Sequence, residues 1–168
     1  MKVPCRANKC SVESTKSASF LSTAVTYGEP TRGYIGYDHP VQKRLRAVMS
    51  DLCGVDADGF AYGTDGCGIP TLATPLKSLA RAMASMADPS RVSNRHAEAA
   101  ARIRDAMNAE PFMVAGTGRF CTRINGALTG VAQVKTGAEG VFCGMLPTLG
   151  LGIAVKMWDG AGRAVAPA

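Results

Sequence analysis

Apolar residues recur at helical spacing over Val41, Leu45, Val48, Met49 and Leu52, with polar residues between them. Ahead of this run Asp38 offers an N-cap carboxylate and Pro40 fits a first turn, and Gly54 stops it. The pattern predicts an amphipathic helix over about residues 40–53. Thr74 and Pro75 open a second helical run, with Leu76, Leu79, Ala80, Met83 and Met86 on one side and Asp88-Pro89 as its end. A third spans roughly 94–108, with Ala99, Ile103 and Met107 facing inward and Pro111 beyond its end. Earlier in the chain, residues 18–25 suggest a short helix inside a polar stretch.

Between the first two helices the chain is punctuated by Gly54, Gly59, Gly63, Gly66, Gly68, Pro70 and Pro75. So many turn residues between short apolar pieces describe a loop that can build a site. Past the third helix glycine stays frequent and the apolar residues fall into short runs, 130–134, 141–146 and 151–158, which read as strands. Asp159-Gly160 marks a hairpin turn and residues 163–166 would begin a return strand. Helices in the middle and an antiparallel sheet at the end imply an α+β class.

The totals narrow the function classes. With 168 residues, 46% hydrophobic and 19% charged, the chain has the size and proportions of one globular domain. The longest mainly apolar stretch, 141–157, is broken by Gly144, Pro147, Gly150 and Gly152, so no membrane segment is expected. Residues 1–16 hold no apolar core of a secretory signal, which points to a cytoplasmic protein. The six cysteines are then expected as thiols or metal ligands rather than disulfides. A net charge of +6 would favour a polyanion only if gathered on one face. Its densest cluster, Lys43, Arg44 and Arg46, falls on the polar side of the first helix, and aromatic residues are too sparse to stack bases, so no nucleic-acid partner is expected.

Three segments could carry chemistry. In Tyr62-Gly63-Thr64-Asp65-Gly66-Cys67-Gly68-Ile69-Pro70 an acid and a thiol sit two apart. If that backbone is extended both side chains point one way and meet one metal or polar substrate; a turn with a buried thiol is the equally supported alternative. Cys5-Arg6-Ala7-Asn8-Lys9-Cys10, with Lys16 following, spaces two thiols more loosely than a metal knuckle does, and His39 and His96 fit helix positions better than metal sites. Lys135-Thr136-Gly137 sets a lysine at a strand end beside a hydroxyl and a glycine, like the lysine triplet of penicillin-binding and β-lactamase enzymes, although surface lysines are common.

In order, Asp38-His39-Pro40-Val41-Gln42, Gly63-Thr64-Asp65-Gly66-Cys67-Gly68-Ile69-Pro70, Phe112-Met113-Val114-Ala115-Gly116, Gly118-Arg119-Phe120-Cys121-Thr122, Lys135-Thr136-Gly137-Ala138-Glu139-Gly140 and Gly150-Leu151-Gly152-Ile153-Ala154-Val155-Lys156 resemble the rhizobial-type, thermolabile L-asparaginases, the asparaginase II branch. The likeness covers roughly residues 33–165. It implies a fragment of a penicillin-binding/β-lactamase-like fold, divided into a divergent lead-in over 1–33 that holds the metal segment and an asparaginase-like partial domain over 34–168.

The resemblance implies an amidohydrolase that converts L-asparagine to aspartate and ammonia through a serine–lysine acyl-enzyme, with zinc nearby and homodimeric full-length members. Lys135 resembles the second catalytic lysine of the family, and such a lysine works only if its surroundings favour the neutral amine. Cys67, Cys10 and Lys16 are the metal ligands implied, with Asp65 as a neighbour of the substrate site. Here the first ligand segment departs from the family pattern, since Val12-Glu13-Ser14 intervenes as if inserted and Ser17 stands for the family's histidine. Both family serines are expected outside these 168 residues, which would then be inactive alone. The alternatives are half of a split enzyme and a small zinc-binding or partner-binding module.

Overall fold

The computed structural model describes residues 12–161, with side chains from residue 16 onward. The chain is mixed α+β: helices and small antiparallel sheets, in two compact units. The return strand expected over 163–166 lies outside the described residues.

The first unit takes residues up to Ala47 together with Asp58–Ala73. It begins with helix α1, Val12–Thr26, longer than the short helix expected there. Helix α1 ends in a Schellman motif: Glu29 N–H donates to Ala24 O, Gly28 N–H donates to Val25 O, and Gly28 sits at φ 65°. Helix α2, Pro40–Cys53, follows with the predicted bounds, and its first two turns belong to this unit. Its cap differs from expectation. Pro40 takes the first helical position, so His39 stands at the cap, and its Nδ1 accepts the Val41 N–H at 3.2 Å in place of the Asp38 carboxylate. Val41 and Gln42 are buried, and Gln42 Nε2 donates to Tyr34 O at 2.7 Å.

Of the basic cluster on α2, Lys43 is exposed while the two arginines are held by local partners. Arg46 is only 6% exposed, since its planar guanidinium lies over the Tyr37 ring, and Arg44 pairs with Glu29 and stacks over Tyr27. The glycine-rich stretch that follows is more regular than a loop. After a 3₁₀ turn at Ala57–Gly59, strands β1, Tyr62–Thr64, and β2, Pro70–Leu72, pair antiparallel as a hairpin.

The second unit takes Val48–Ala57 and the residues from Thr74 onward. Helices α3, Leu76–Ala87, and α4, Asn94–Ala109, are joined through a 3₁₀ turn at Pro89–Arg91. Short α5, Pro111–Ala115, and α6, Phe120–Ala127, come next, then a three-stranded antiparallel sheet in the order β3-β4-β5: Gln133–Thr136, Val141–Leu146 and Leu151–Lys156. Helix α3 packs against β5 at Gly152, where a side chain would run into the helix backbone. Ala82, Ser85 and Ala87 are the buried residues of α3, and Ser85 Oγ donates to Leu52 O at 3.0 Å.

Two expectations shift here. The strand expected at 130–134 begins three residues later, because Val131 and Ala132 still donate their N–H groups to Leu128 O in the turn that ends α6. On α4, Ala100 rather than Ala99 is buried and Ile103 is 51% exposed. Among the described residues no helix is long and apolar enough to cross a membrane.

Candidate functional site

Local backbone structure in the first unit sets up an acid–thiol pair. At the tip of the β1–β2 hairpin, Gly68 N–H donates to Asp65 O at 2.8 Å and Asp65 N–H donates to Ile69 O at 3.0 Å. Residues 65–68 are therefore a tight turn, not the extended run considered from sequence, and Gly68 takes the positive φ of 79° that closes it. Asp65 Oδ1 accepts the Gly66 N–H at 2.7 Å, which aims the other carboxylate oxygen outward to form an ion pair with Lys16 Nζ.

Lys16 on α1 and Asp65 lie 49 residues apart in sequence, and Cys67 interacts with the same amine. The Asp65 carboxylate, and secondarily Cys67, hold the Lys16 ammonium above its ordinary pKa against the opposing effect of burial. Reciprocally, the ammonium and then the Gly66 N–H hold Asp65 below the usual carboxylate range. Three of the residues singled out from sequence thus converge, while Cys10 lies outside the described residues.

Sulfur of Cys67 and nitrogen of Lys16 are donors of the type zinc takes. No group of three or more His, Cys, Asp or Glu side chains gathers as a metal site among the described residues. A metal bound there would need a further ligand beyond these two, and Lys16 would have to lose its proton to coordinate it.

In the second unit Lys135 lies in β3 opposite Cys143 of β4, with its side chain exposed and Nζ donating to Thr136 O at 2.7 Å. The β3–β4 turn is tight: Gly137 N–H donates to Val141 O at 2.8 Å, and Glu139 adopts φ 55°, the single positive φ at a non-glycine residue among those described. Lys156 Nζ spans the turn, donating to Glu139 O at 2.6 Å and Met157 O at 2.8 Å. Beside Lys135 opens a cavity of about 530 Å³ whose lining includes Met83, Met86, Met107, Met113 and Met145.

Two neighbours of Lys135 escaped the sequence reading. The fully buried Asn125 of α6 makes both of its amide hydrogen bonds to Val134: Nδ2 donates to Val134 O at 3.1 Å, and Oδ1 accepts the Val134 N–H at 2.7 Å. Gln133, also fully buried, donates from Nε2 to Arg104 O at 2.7 Å. Neither sits in a local pattern that marks it in the sequence. A third cluster gathers Asp51, Ser93 and His96, and its carboxylate faces the first turn of α4.

No curated protein matches the chain. The family model described as L-asparaginase II matches residues 4–168, a span that includes Cys10, Lys16, Asp65, Cys67 and Lys135. With the order of its motifs matched over nearly its whole length, this chain belongs to the L-asparaginase II family.

Proposed function

We propose that this chain contributes the lysine-bearing and metal-bearing part of an L-asparagine amidohydrolase with a serine–lysine acyl-enzyme mechanism. Family membership over residues 4–168 is the observation that carries the reading. Its α+β elements then correspond to a piece of a penicillin-binding/β-lactamase-like fold, divided as a lead-in over 1–33 and a partial domain over 34–168. In the reaction a serine hydroxyl adds to the side-chain amide carbon, its proton passes to the departing nitrogen, ammonia leaves, and water hydrolyses the ester to release aspartate. Lys135 is the chain's contribution to that proton traffic. The serine comes from a segment other than these 168 residues, which are inactive by themselves.

Cys67, Lys16 and Cys10 would hold zinc, and Asp65 borders the substrate. A cation bound there supplies positive charge against the charged groups of the substrate. The meeting of Lys16, Asp65 and Cys67 supports this assignment, since residues so far apart in sequence converge at one hairpin tip.

The test is ammonia release from L-asparagine by the purified chain, alone and after addition of the serine-bearing segment of a family member. No turnover is expected alone. Turnover is expected after complementation, reduced by about 100-fold or more in Lys135→Ala. Release at an enzymatic rate by the unaided chain would overturn the assignment of the nucleophile, and full complemented activity in Lys135→Ala would overturn that of the lysine.

A further inference from the structure

We propose that Asn125 is the positioning residue for Lys135, a register lock that fixes which face of the sheet the lysine occupies; this rests on the reading of Lys135 as a catalytic group. Strand β3 is an edge of its sheet, so one row of its backbone groups has no strand partner. Gly137 N–H bonds Val141 O, and the register pairs Lys135 with Cys143 and Val134 with Gly144. Along an antiparallel ladder hydrogen-bonded and non-bonded pairs alternate, so the N–H and C=O of Lys135 turn toward β4 while those of Val134 turn to the open edge. There the buried Asn125 amide meets both, at 2.7 and 3.1 Å, as a neighbouring strand would.

An edge strand of four residues has weak register of its own, and a slip by one residue moves every side chain to the opposite face. Asn125 opposes that slip selectively, because after it the residue facing the amide would be Gln133 or Lys135 in place of Val134. Gln133 supports it through its bond to Arg104 O, so two of the five buried polar side chains among the described residues act on the two positions just before Lys135. An apolar side chain at 125 would fill the same space but leave the Val134 N–H and C=O without their partner and the strand free to slip. The investment in polar anchoring beside an exposed lysine is what a fixed side-chain position requires.

The test uses NMR on the whole chain, following Val134 amide exchange and the resonance of ¹³C-dimethylated Lys135, assigned with Lys135→Arg. In Asn125→Ala, Val134 exchange is expected to rise roughly tenfold to a hundredfold and the Lys135 resonance to shift or split, while amides of the β4–β5 ladder keep their protection. Asn125→Asp provides the conservative rescue. A protonated carboxyl can donate to Val134 O and accept from Val134 N–H, whereas the carboxylate cannot donate. This variant should therefore match wild type below its carboxyl titration. Above it the carboxylate still accepts the Val134 N–H but leaves Val134 O unbonded, so Val134 exchange stays slower than in Asn125→Ala while the Lys135 resonance moves away from wild type. That change decides the question even if Asn125→Ala fails to fold. An unchanged Lys135 resonance in both variants despite fast Val134 exchange would overturn the proposal, as would an Asn125→Asp protein identical to wild type at every pH. If instead Lys135 has no catalytic role, that appears only in the complemented activity of Lys135→Ala and leaves these NMR results standing.

Discussion

Gly152 and Ala80 meet backbone to backbone. A Cβ on Gly152 would lie 2.1 Å from the Ala80 carbonyl oxygen and 2.2 Å from the Ala84 amide nitrogen, so α3 could accept it only by lifting off β5. Helix backbone cannot rotate aside as a side chain does. Gly152→Ala is expected to cost about 3 kcal/mol or more, at the upper end of overpacking effects. Gly126, inside α6, has nothing within 4 Å of its Cβ position, so Gly126→Ala should stabilise by about 0.5–1 kcal/mol through helix propensity. Urea unfolding followed by circular dichroism separates the two, and equal midpoints would refute the close-packing argument.

If zinc binds at the hairpin tip as proposed, the proton on Lys16 competes with it for the same nitrogen. Asp65 raises the Lys16 pKa, so zinc binding must expel a proton held more tightly than usual, and affinity should increase with pH. Asp65→Asn removes the counter-charge, which should ease loss of that proton and move zinc binding to lower pH. Cys67→Ala should weaken binding by more than about 100-fold, since deleting a ligand exceeds the effect of deleting its outer support. Competition with a chromophoric chelator across the neutral range measures all three proteins. Wild-type zinc content in Cys67→Ala would remove this hairpin from the metal site.

The Asp51 carboxylate caps α4 from outside the helix. Ser93 makes no cap bond with its own side chain; instead its N–H and Oγ both donate to Asp51 Oδ2, at 3.2 and 2.8 Å, and His96 Nδ1 lies 2.5 Å from the same oxygen. His96 first, then Ser93, holds the Asp51 pKa below the ordinary aspartate value. A depressed folded-state pKa contributes stability that is present above the unfolded value, about 3.9, and is lost as pH falls through the folded one. Asp51→Ala should therefore cost about 1 kcal/mol at neutral pH, with the difference shrinking in acid below the aspartate range. Unfolding midpoints compared at neutral and strongly acidic pH provide the check, and a difference that grew on acidification would contradict the sign.

The elements most legible in the sequence were those whose signals are local. Val41 through Leu52 repeat at helical spacing after Pro40, and α2 forms with those bounds; even so, the cap fell to His39 because the helix begins at Pro40. Helix α6 was illegible, since Thr122, Asn125 and Gly126 are poor helix formers and Asn125 is satisfied only by Val134 of a later strand. Ile103 and Met107 show that an apolar stripe need not be buried, because theirs borders the open cavity beside Lys135. At the candidate site Asp65 and Cys67 stood out as neighbours in a glycine-rich segment. Their meeting with Lys16 has no local signature, and only the order of the family motifs pointed to it.

Arg46 and Asp58 form an ion pair whose two members differ sharply in exposure, which decides what each contributes. Arg46 is 6% exposed, its guanidinium lies 3.9 Å from the Tyr37 ring centroid and donates from Nη1 to Tyr37 O at 2.8 Å, while Tyr37 stacks on Tyr62 with centroids 4.1 Å apart. The Asp58 side chain is 69% exposed, so water screens its charge. Arg46→Lys keeps the charge but loses the flat fork that stacks and bonds at once, and it should cost about 2 kcal/mol. Asp58→Asn should cost less than about 1 kcal/mol, as exposed pairs usually do. Chemical unfolding monitored by tyrosine circular dichroism reports on the ring pair directly. Were Asp58→Asn the more damaging change, charge pairing rather than stacking would be what seats Arg46.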